Sequence, residues 1–256
     1  MTAVACSARS LARLSIAVSL AFATAAWAEP VTTILSAGHV DIFEAEYEEL
    51  IPGQPELHLG VHNDAGDFEP GDVILEVKNA AYRSTTGLPG AITALLGPNA
   101  WVLPADLEEA DALGVIEAGV AKAGTFPDAS AVTFTLMSAG ASNPGNFVLY
   151  SSANSIRLSA TGGTVGTNIF STTAGHIHYN WGFSVPGTYT FEMQASYTDP
   201  VAGLLQSPAE TYTFQVVPEP STWALAGAAM LGGMGLRRFR RPGACGEPPP
   251  NKSPRR

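Results

Sequence analysis

Apolar and polar residues alternate along most of the chain between positions 29 and 217, and turn-forming residues interrupt this alternation at short intervals. A period of two places the apolar side chains on one face of a β-strand, so the pattern predicts strands that bury one face each. Many short strands separated by turns are typical of an Ig-like or jelly-roll-like β-sandwich. We therefore predict an all-β fold, with strands at residues 31–43, 57–61, 72–77, 100–103, 131–137, 146–150, 155–160, 176–185, 187–197 and 210–217.

One stretch departs from the alternation. Residues 104–122 are rich in Ala, Glu and Leu and have no β-branched run before Val115-Ile116. Ala, Glu and Leu are good helix formers, so these residues predict a short helical insertion in the β-lobe.

The N-terminal residues 1–28 have the pattern of a secretory signal peptide. Arg9 and Arg13 precede an apolar run, residues 14–27, and the segment closes on the small-residue cleavage site Ala26-Trp27-Ala28. The run is too short to span a bilayer comfortably, and its order of basic, apolar and small residues is that of an exported precursor. We expect the secretion machinery to recognise this segment and a peptidase to remove it.

The C-terminal residues 218–241 have a second targeting pattern. Pro218-Glu219-Pro220 is followed by an apolar stretch, residues 223–236, and then by arginines between positions 237 and 241. The positive-inside bias holds such a basic end in the cytoplasm, so we expect the apolar stretch to cross the membrane transiently as a helix. This order of features resembles the PEP-CTERM sorting signal of Gram-negative bacteria that produce exopolysaccharide. The resemblance implies recognition and cleavage by an exosortase.

These two ends predict a protein that is membrane-associated before processing and is then displayed at the cell surface, in the outer envelope or in the extracellular matrix. Residues 242–256 extend beyond the arginines and predict a disordered, Pro-rich tail. Between the two signals, residues 29–217 form the predicted lobe, which has four basic and 21 acidic residues, a formal charge of −17. A surface of this charge excludes nucleic acid as a partner and favours cations.

All five histidines of the chain fall on the polar positions of predicted strands. In residues 176–183, Ile177, Tyr179 and Trp181 define the apolar face, so His176, His178 and Asn180 point the other way. The same alternation turns His39 and Asp41 outward, away from Val40 and Ile42, and turns His58 and His62 outward from residues 57–61. Two histidines two positions apart stand on one side of a strand, about 6–7 Å apart at Cα, and can bind one ion together.

This shared direction predicts a metal site. Neutral imidazoles bind Zn²⁺ and other divalent transition metals, and a carboxylate can ligate the ion or orient a histidine. We predict His39, His62, His176 and His178 as ligands, supported by Asp41 and Asn180, and assign His58 a surface role. Solvated histidines without a metal are the alternative. No thiolate can take part, because both cysteines, Cys6 and Cys245, lie outside the lobe.

Several motifs of the lobe resemble the choice-of-anchor M, or actinobacterial surface-anchored protein, domains. They are Gly38-His39-Val40-Asp41, Leu59-Gly60-Val61-His62, Trp101-Val102-Leu103-Pro104, Pro144-Gly145-Asn146-Phe147 and residues 176–181. The resemblance implies a secreted domain that different bacteria attach by different anchors. It also implies a link to metal transport, because some members accompany transporters thought to handle metal ions. Residues 108–125 depart from the family's tryptophan-rich stretch.

No catalytic motif stands out, so we predict that the protein is not an enzyme. Three hypotheses follow: a metal-binding surface domain, a structural or adhesive module associated with exopolysaccharide, and a metal-dependent hydrolase with Asp41 or a glutamate as base. The acidic residues 44–49 predict a solvated segment rather than a glycosidase site. Residues 63–67 predict an Asx-rich turn rather than a calcium loop, because they lack the distal Glu of an EF-hand.

Overall fold

The computed structural model describes residues 32–218, and this part of the chain consists mainly of β-strands, which confirms the predicted all-β class. The predicted signal peptide at 1–28, the predicted sorting helix at 223–236 and the predicted tail at 242–256 lie outside the described residues. The strands are β1 Thr33–Leu35, β2 Gly38–Ile51, β3 Gln54–Asn63, β4 Gly66–Phe68, β5 Val73–Val77, β6 Tyr82–Ser84, β7 Asn99–Leu103, β8 Ile116–Gly124, β9 Val132–Ala139, β10 Asn146–Tyr150, β11 Ile156–Thr161, β12 Thr164–Val165, β13 Ile169–Thr172, β14 His176–His178, β15 Asn180–Phe183, β16 Gly187–Asp199, β17 Gly203–Gln206 and β18 Glu210–Val216. The helices are α1 Gly90–Leu96 and α2 Leu107–Leu113, with single 3-10 turns at Pro70–Asp72 and Asn79–Ala81.

These strands form three sheets. A seven-stranded sheet has the order β1-β5-β18-β16-β9-β13, with β17 paired to β16, and a six-stranded sheet has the order β12-β11-β10-β15-β7-β6. The third sheet has five strands in the order β14-β8-β2-β3-β4. The consecutive strands β14 and β15 belong to different sheets, so the chain passes at Tyr179 from the five-stranded sheet to the six-stranded one.

One aromatic core joins the three sheets. Phe43 of the five-stranded sheet packs edge-on against Trp181 of the six-stranded sheet, with ring centroids 4.8 Å apart, and stacks on Phe134 of the seven-stranded sheet. Phe214, also of the seven-stranded sheet, contacts Trp181. The seven-stranded sheet therefore packs against both other sheets, in an arrangement consistent with the predicted sandwich. Burial of such large rings supplies the main favourable free energy of a lobe that has no disulfide.

Helix α1 covers the outer face of the six-stranded sheet. Its buried residues Ile92 and Leu96 form a second, smaller core with residues of β7 and β10. The outer face of the five-stranded sheet instead carries the polar side chains described below. Neither helix of residues 32–218 has the length and apolar character needed to cross a membrane.

The prediction of a helical insertion over residues 104–122 is wrong for its second half. Helix α2 is short: Asp106 caps its start by accepting a hydrogen bond from the Glu109 N–H at 2.9 Å, and it ends at Gly114, which has φ 63°. The chain then forms β8, which lies between β2 and β14 and is parallel to β2. The alternation of β8 was hidden because six of its nine residues are Ala, Gly or Val and its residues 116–121 are buried on both faces.

Strand β2 contains a β-bulge that the alternation did not predict. Asp41 is the register partner of Gly119 and Phe43 that of Val120, so β2 has one residue more than β8 at this point. Val40, Ile42 and Phe43 are consequently all buried, and the side-chain direction changes phase beyond Ile42. The strand continues through the acidic residues 44–49, which were predicted to form a solvated segment, and places Glu44 and Glu46 on the same outer face as His39.

Candidate metal centre

Three of the predicted histidines meet over the three neighbouring strands β14, β8 and β2 of the five-stranded sheet. His39 and Asp41 lie on β2, His176 and His178 lie on β14, and both strands pair with β8. Asp41 and His178 are the register partners of Gly119, one on each side of it. The four side chains thus project from the same face of the sheet, although about 137 residues separate His39 from His176 along the chain.

The three imidazoles point their Nε2 atoms toward one another. The Nε2 atoms of His39 and His176 are 3.1 Å apart, and those of His176 and His178 are in direct contact. Asp41 Oδ1 lies 3.4 Å from His176 Nε2 and 3.7 Å from His39 Nε2. One ligand atom from each of the four residues lies within 4.8 Å of the other three. We name these four residues the histidine cluster.

Two of these separations fit a four-coordinate ion, whereas the closer contact between His176 and His178 would have to lengthen on binding. A tetrahedral zinc ion with bonds of 2.0–2.1 Å holds its ligand atoms about 3.3 Å apart. The contacts from His39 and Asp41 to His176 lie close to that separation. Without a metal, the contacts among the imidazoles and those from His39 and His176 to Asp41 would hold the four side chains together.

Asp41 is the most unusual member of the cluster. Its side chain is only 5% exposed, and Oδ1 is buried without a hydrogen-bond partner among the described residues. An uncompensated buried carboxylate is costly, so such a group calls for a nearby cation. The sequence predicted an outward-facing Asp41; it does lie on the polar face, but the surrounding imidazoles cover it.

Gly119 provides the space that the cluster needs. A Cβ atom at this position would lie 2.1 Å from Asp41 Oδ1 and 3.3 Å from a ring carbon of His178. Any other residue would therefore displace the carboxylate from its place between the histidines. The glycine has no positive φ, so close approach of side chains, rather than backbone conformation, accounts for it.

Glu117 orients His178 from the neighbouring strand β8, on the same face of the sheet as the cluster. Its buried carboxylate contacts His178 Nδ1, which leaves Nε2 of that ring directed at His176. Burial, together with the neighbouring His176 and His39, lowers the pKa of His178 to about 4, so this imidazole is neutral at pH 7. Burial also raises the pKa of Glu117. A neutral ring held by a carboxylate through its second nitrogen is a common arrangement for histidine ligands of metals.

Not all predicted ligands join this cluster. His62 lies on β3 and groups with Glu44 of β2 and Asp67 of β4 instead. Its Nδ1 is 2.5 Å from Asp67 Oδ1. Asn180 accepts a hydrogen bond from the Ala105 N–H at 3.2 Å. His58 lies 3.4 Å from Glu56. The sequence reasoning missed Glu117. Had residues 116–124 been recognised as a strand, the alternation of Glu117, Gly119 and Ala121 would have placed them on one face.

The second group consists of Glu44, His62 and Asp67, one residue from each of β2, β3 and β4. Burial raises the pKa of Glu44 to about 7. The hydrogen bond to Asp67 raises the pKa of His62. Beside this group, the Asn63 side chain accepts a hydrogen bond from the Ala65 N–H at 2.8 Å, which forms an Asx turn between β3 and β4.

Comparison with known protein families bears on the C-terminal end. Residues 216–241 match the PEP-CTERM protein-sorting motif. The chain carries an exosortase sorting signal. The match confirms the interpretation drawn from the order of motif, apolar stretch and arginines, and it supports an exported protein sorted to the cell surface. Searches of curated proteins and of solved structures gave no significant match. The resemblance of the lobe to choice-of-anchor M domains therefore stays a prediction.

Proposed function

We propose that the lobe binds one divalent transition-metal ion through His39, His176, His178 and Asp41, and that zinc is the first candidate. The observation that carries this proposal is the buried, unpartnered Oδ1 of Asp41, next to which three imidazole nitrogens converge. Three neutral imidazoles and one carboxylate form a donor set suited to zinc, with copper and nickel as alternatives.

The same donor set favours binding over catalysis. Catalytic zinc sites keep one position open for water or substrate, whereas four protein ligands complete a tetrahedral shell. With Asp41 as the fourth ligand, no position remains for a hydrolytic water. We therefore propose a non-enzymatic protein in which the ion is sequestered or stabilises the lobe.

The exposed side of the cluster gives the ion a route from solvent, since the side chain of His176 is 44% exposed. Sorting by exosortase would display this face at the cell surface or in the extracellular matrix. We propose a metal transporter of the same cell as a partner, and rank direct binding to exopolysaccharide second. The acidic lobe would repel an anionic polymer unless a cation bridged the two.

The test is the zinc content of the untagged full-length chain, purified in detergent without chelator and dialysed against limiting zinc. The His176→Ala/His178→Ala variant removes two ligands, whereas His58→Ala removes a histidine of the same sheet outside both groups. Circular dichroism establishes that each variant is folded. We expect the double variant to bind one zinc fewer than both the parent and His58→Ala. Equal zinc in all three folded proteins would refute the proposal and leave a structural or adhesive module.

A further inference from the structure

We propose a second divalent-metal site, formed by Glu44, His62 and Asp67 on the β2–β3–β4 side of the same sheet. The ligand atoms of the three residues lie within 4.8 Å of one another. Each residue comes from a different strand of a continuous three-strand ladder, so their spacing is set by the register of the sheet rather than by a loop alone. This site goes beyond the proposed function and does not depend on the histidine cluster.

Hydrogen bonding within the group leaves the Glu44 carboxylate without a partner. The contact of 2.5 Å between His62 Nδ1 and Asp67 Oδ1 uses one imidazole nitrogen and one oxygen. The half-buried Glu44 carboxylate takes part in no hydrogen bond or ion pair with another residue between 32 and 218. Strand neighbours account for this, because the residue opposite Glu44 on β3 is Gly60, which has no side chain to offer. A cation held by all three side chains would satisfy Glu44.

The surroundings favour cations over any other ligand. Glu44 and Asp67 lie at a groove of about 510 Å³ whose lining includes no lysine or arginine. Five further carboxylates line it: Glu46, Glu48, Glu69, Asp72 and Glu210. Carboxylates of one sign in a concave surface raise the local concentration of counter-ions. The groove would thus collect divalent cations beside the second site. The histidine cluster lies on the same face of the sheet and shares strand β2 with that site.

The donor types indicate the class of ion. Calcium takes six to eight oxygen ligands, more than this group offers. One imidazole and two carboxylates suit zinc or another borderline divalent transition metal, with solvent completing the coordination. The lobe would then present two metal ions on one face, bound by nitrogen-rich and oxygen-rich ligand sets.

Zinc stoichiometry and Cu²⁺ spectroscopy of the full-length chain test this inference. We expect two zinc equivalents in the parent and in His58→Ala, and one in both His62→Ala/Asp67→Asn and His176→Ala/His178→Ala. With all four substitutions combined we expect none. In the Cu²⁺ electron paramagnetic resonance spectrum, His176→Ala/His178→Ala should retain the hyperfine pattern of a single nitrogen ligand, and this pattern should disappear when His62 is also replaced.

The outcomes separate this inference from the proposed function. If the histidine cluster binds nothing, the parent should hold one zinc and His62→Ala/Asp67→Asn none, so the second site would stand alone. If His62→Ala/Asp67→Asn is folded, as judged by circular dichroism, and binds as much zinc as the parent, the second site is refuted, whatever the double-histidine variant shows.

Discussion

Replacing Gly119 with alanine should remove the metal from the histidine cluster without changing any ligand. The new methyl carbon would lie 2.1 Å from Asp41 Oδ1 and 3.3 Å from Asp41 Cγ. Non-bonded carbon and oxygen atoms do not approach so closely, so the Asp41 oxygen has to move by about 1 Å or more. Asp41 cannot move without cost, because its side chain is 5% exposed and imidazoles surround it.

The size of the effect follows from this displacement. A coordination bond of 2.0–2.2 Å tolerates a change of about 0.2 Å, so a shift of about 1 Å removes Asp41 from the coordination shell. Changes that merely disturb the orientation of a ligand cost about 10–100-fold in affinity, and loss of a ligand should reach at least the upper end of that range. The metal-free protein should lose about 1–3 kcal/mol of stability, the usual cost of overpacking a buried position.

Gly60→Ala is the matched control. Gly60 lies on β3 of the same sheet, and a Cβ there would be 3.7 Å from the Phe68 carbonyl oxygen and 3.9 Å from Glu44, both ordinary contacts. Competition for zinc against a chromophoric chelator gives the affinity of each full-length variant, which also carries His62→Ala so that the histidine cluster is the site measured. We expect at least about a 100-fold loss for Gly119→Ala and less than about threefold for Gly60→Ala. If Gly119→Ala binds zinc as tightly as Gly60→Ala, Asp41 is not a ligand and the reasoning fails.

Three other predictions concern the contact of Glu117 with His178, the pH dependence of stability that Glu44 causes, and the stabilisation of the folded protein by zinc. Glu117→Gln should weaken zinc binding by about 10–100-fold, because an amide orients His178 less strongly than a carboxylate does; an unchanged affinity in the chelator competition would exclude this role. Burial raises the pKa of Glu44 from 4.5 to about 7. When a chelator keeps the protein metal-free, the unfolded chain therefore loses this proton at a lower pH than the folded protein does. The free energy of unfolding then falls as the pH rises between the two pKa values. Glu44→Gln should therefore stabilise the metal-free protein by about 1–2 kcal/mol at pH 8, after allowance for solvent screening, and hardly at all at pH 4; equal shifts in Tm at both pH values would count against this cause. Free zinc at 100 times its Kd should stabilise the His62→Ala variant, which keeps the histidine cluster, by about 2.7 kcal/mol, or roughly 5–10 °C in Tm; calorimetry showing no shift in this variant would argue against a site that belongs to the folded state.

The side-chain direction of the histidines could be predicted from the sequence because it depends only on local alternation. His176 and His178 flank the buried-side residue Ile177, and the structure keeps them on one face. Which histidines share a site depends on strand order, which alternation does not contain. His62 is on the strand next to β2, yet it lies with Asp67 because β4 brings that residue alongside it.

Strand β8 explains most of what the sequence did not predict. It brings β2 and β14 together, although all three segments are far apart along the chain. Its small residues suited a helix as well as a buried strand, and only the neighbouring sheet decides between the two. With β8 taken as a helix, the sequence could not show that Glu117 contacts His178 or that Gly119 leaves room for the Asp41 side chain.

Zinc K-edge X-ray absorption spectroscopy of the full-length His62→Ala variant, loaded with one equivalent of zinc, tests the central claim most directly. This variant lacks the only histidine of the second group and keeps all four residues of the histidine cluster. We predict a shell of four nitrogen or oxygen atoms at about 2.0–2.1 Å, with the outer-shell scattering of three imidazoles. A shell of oxygen atoms with no more than one imidazole would contradict a zinc site built from His39, His176, His178 and Asp41.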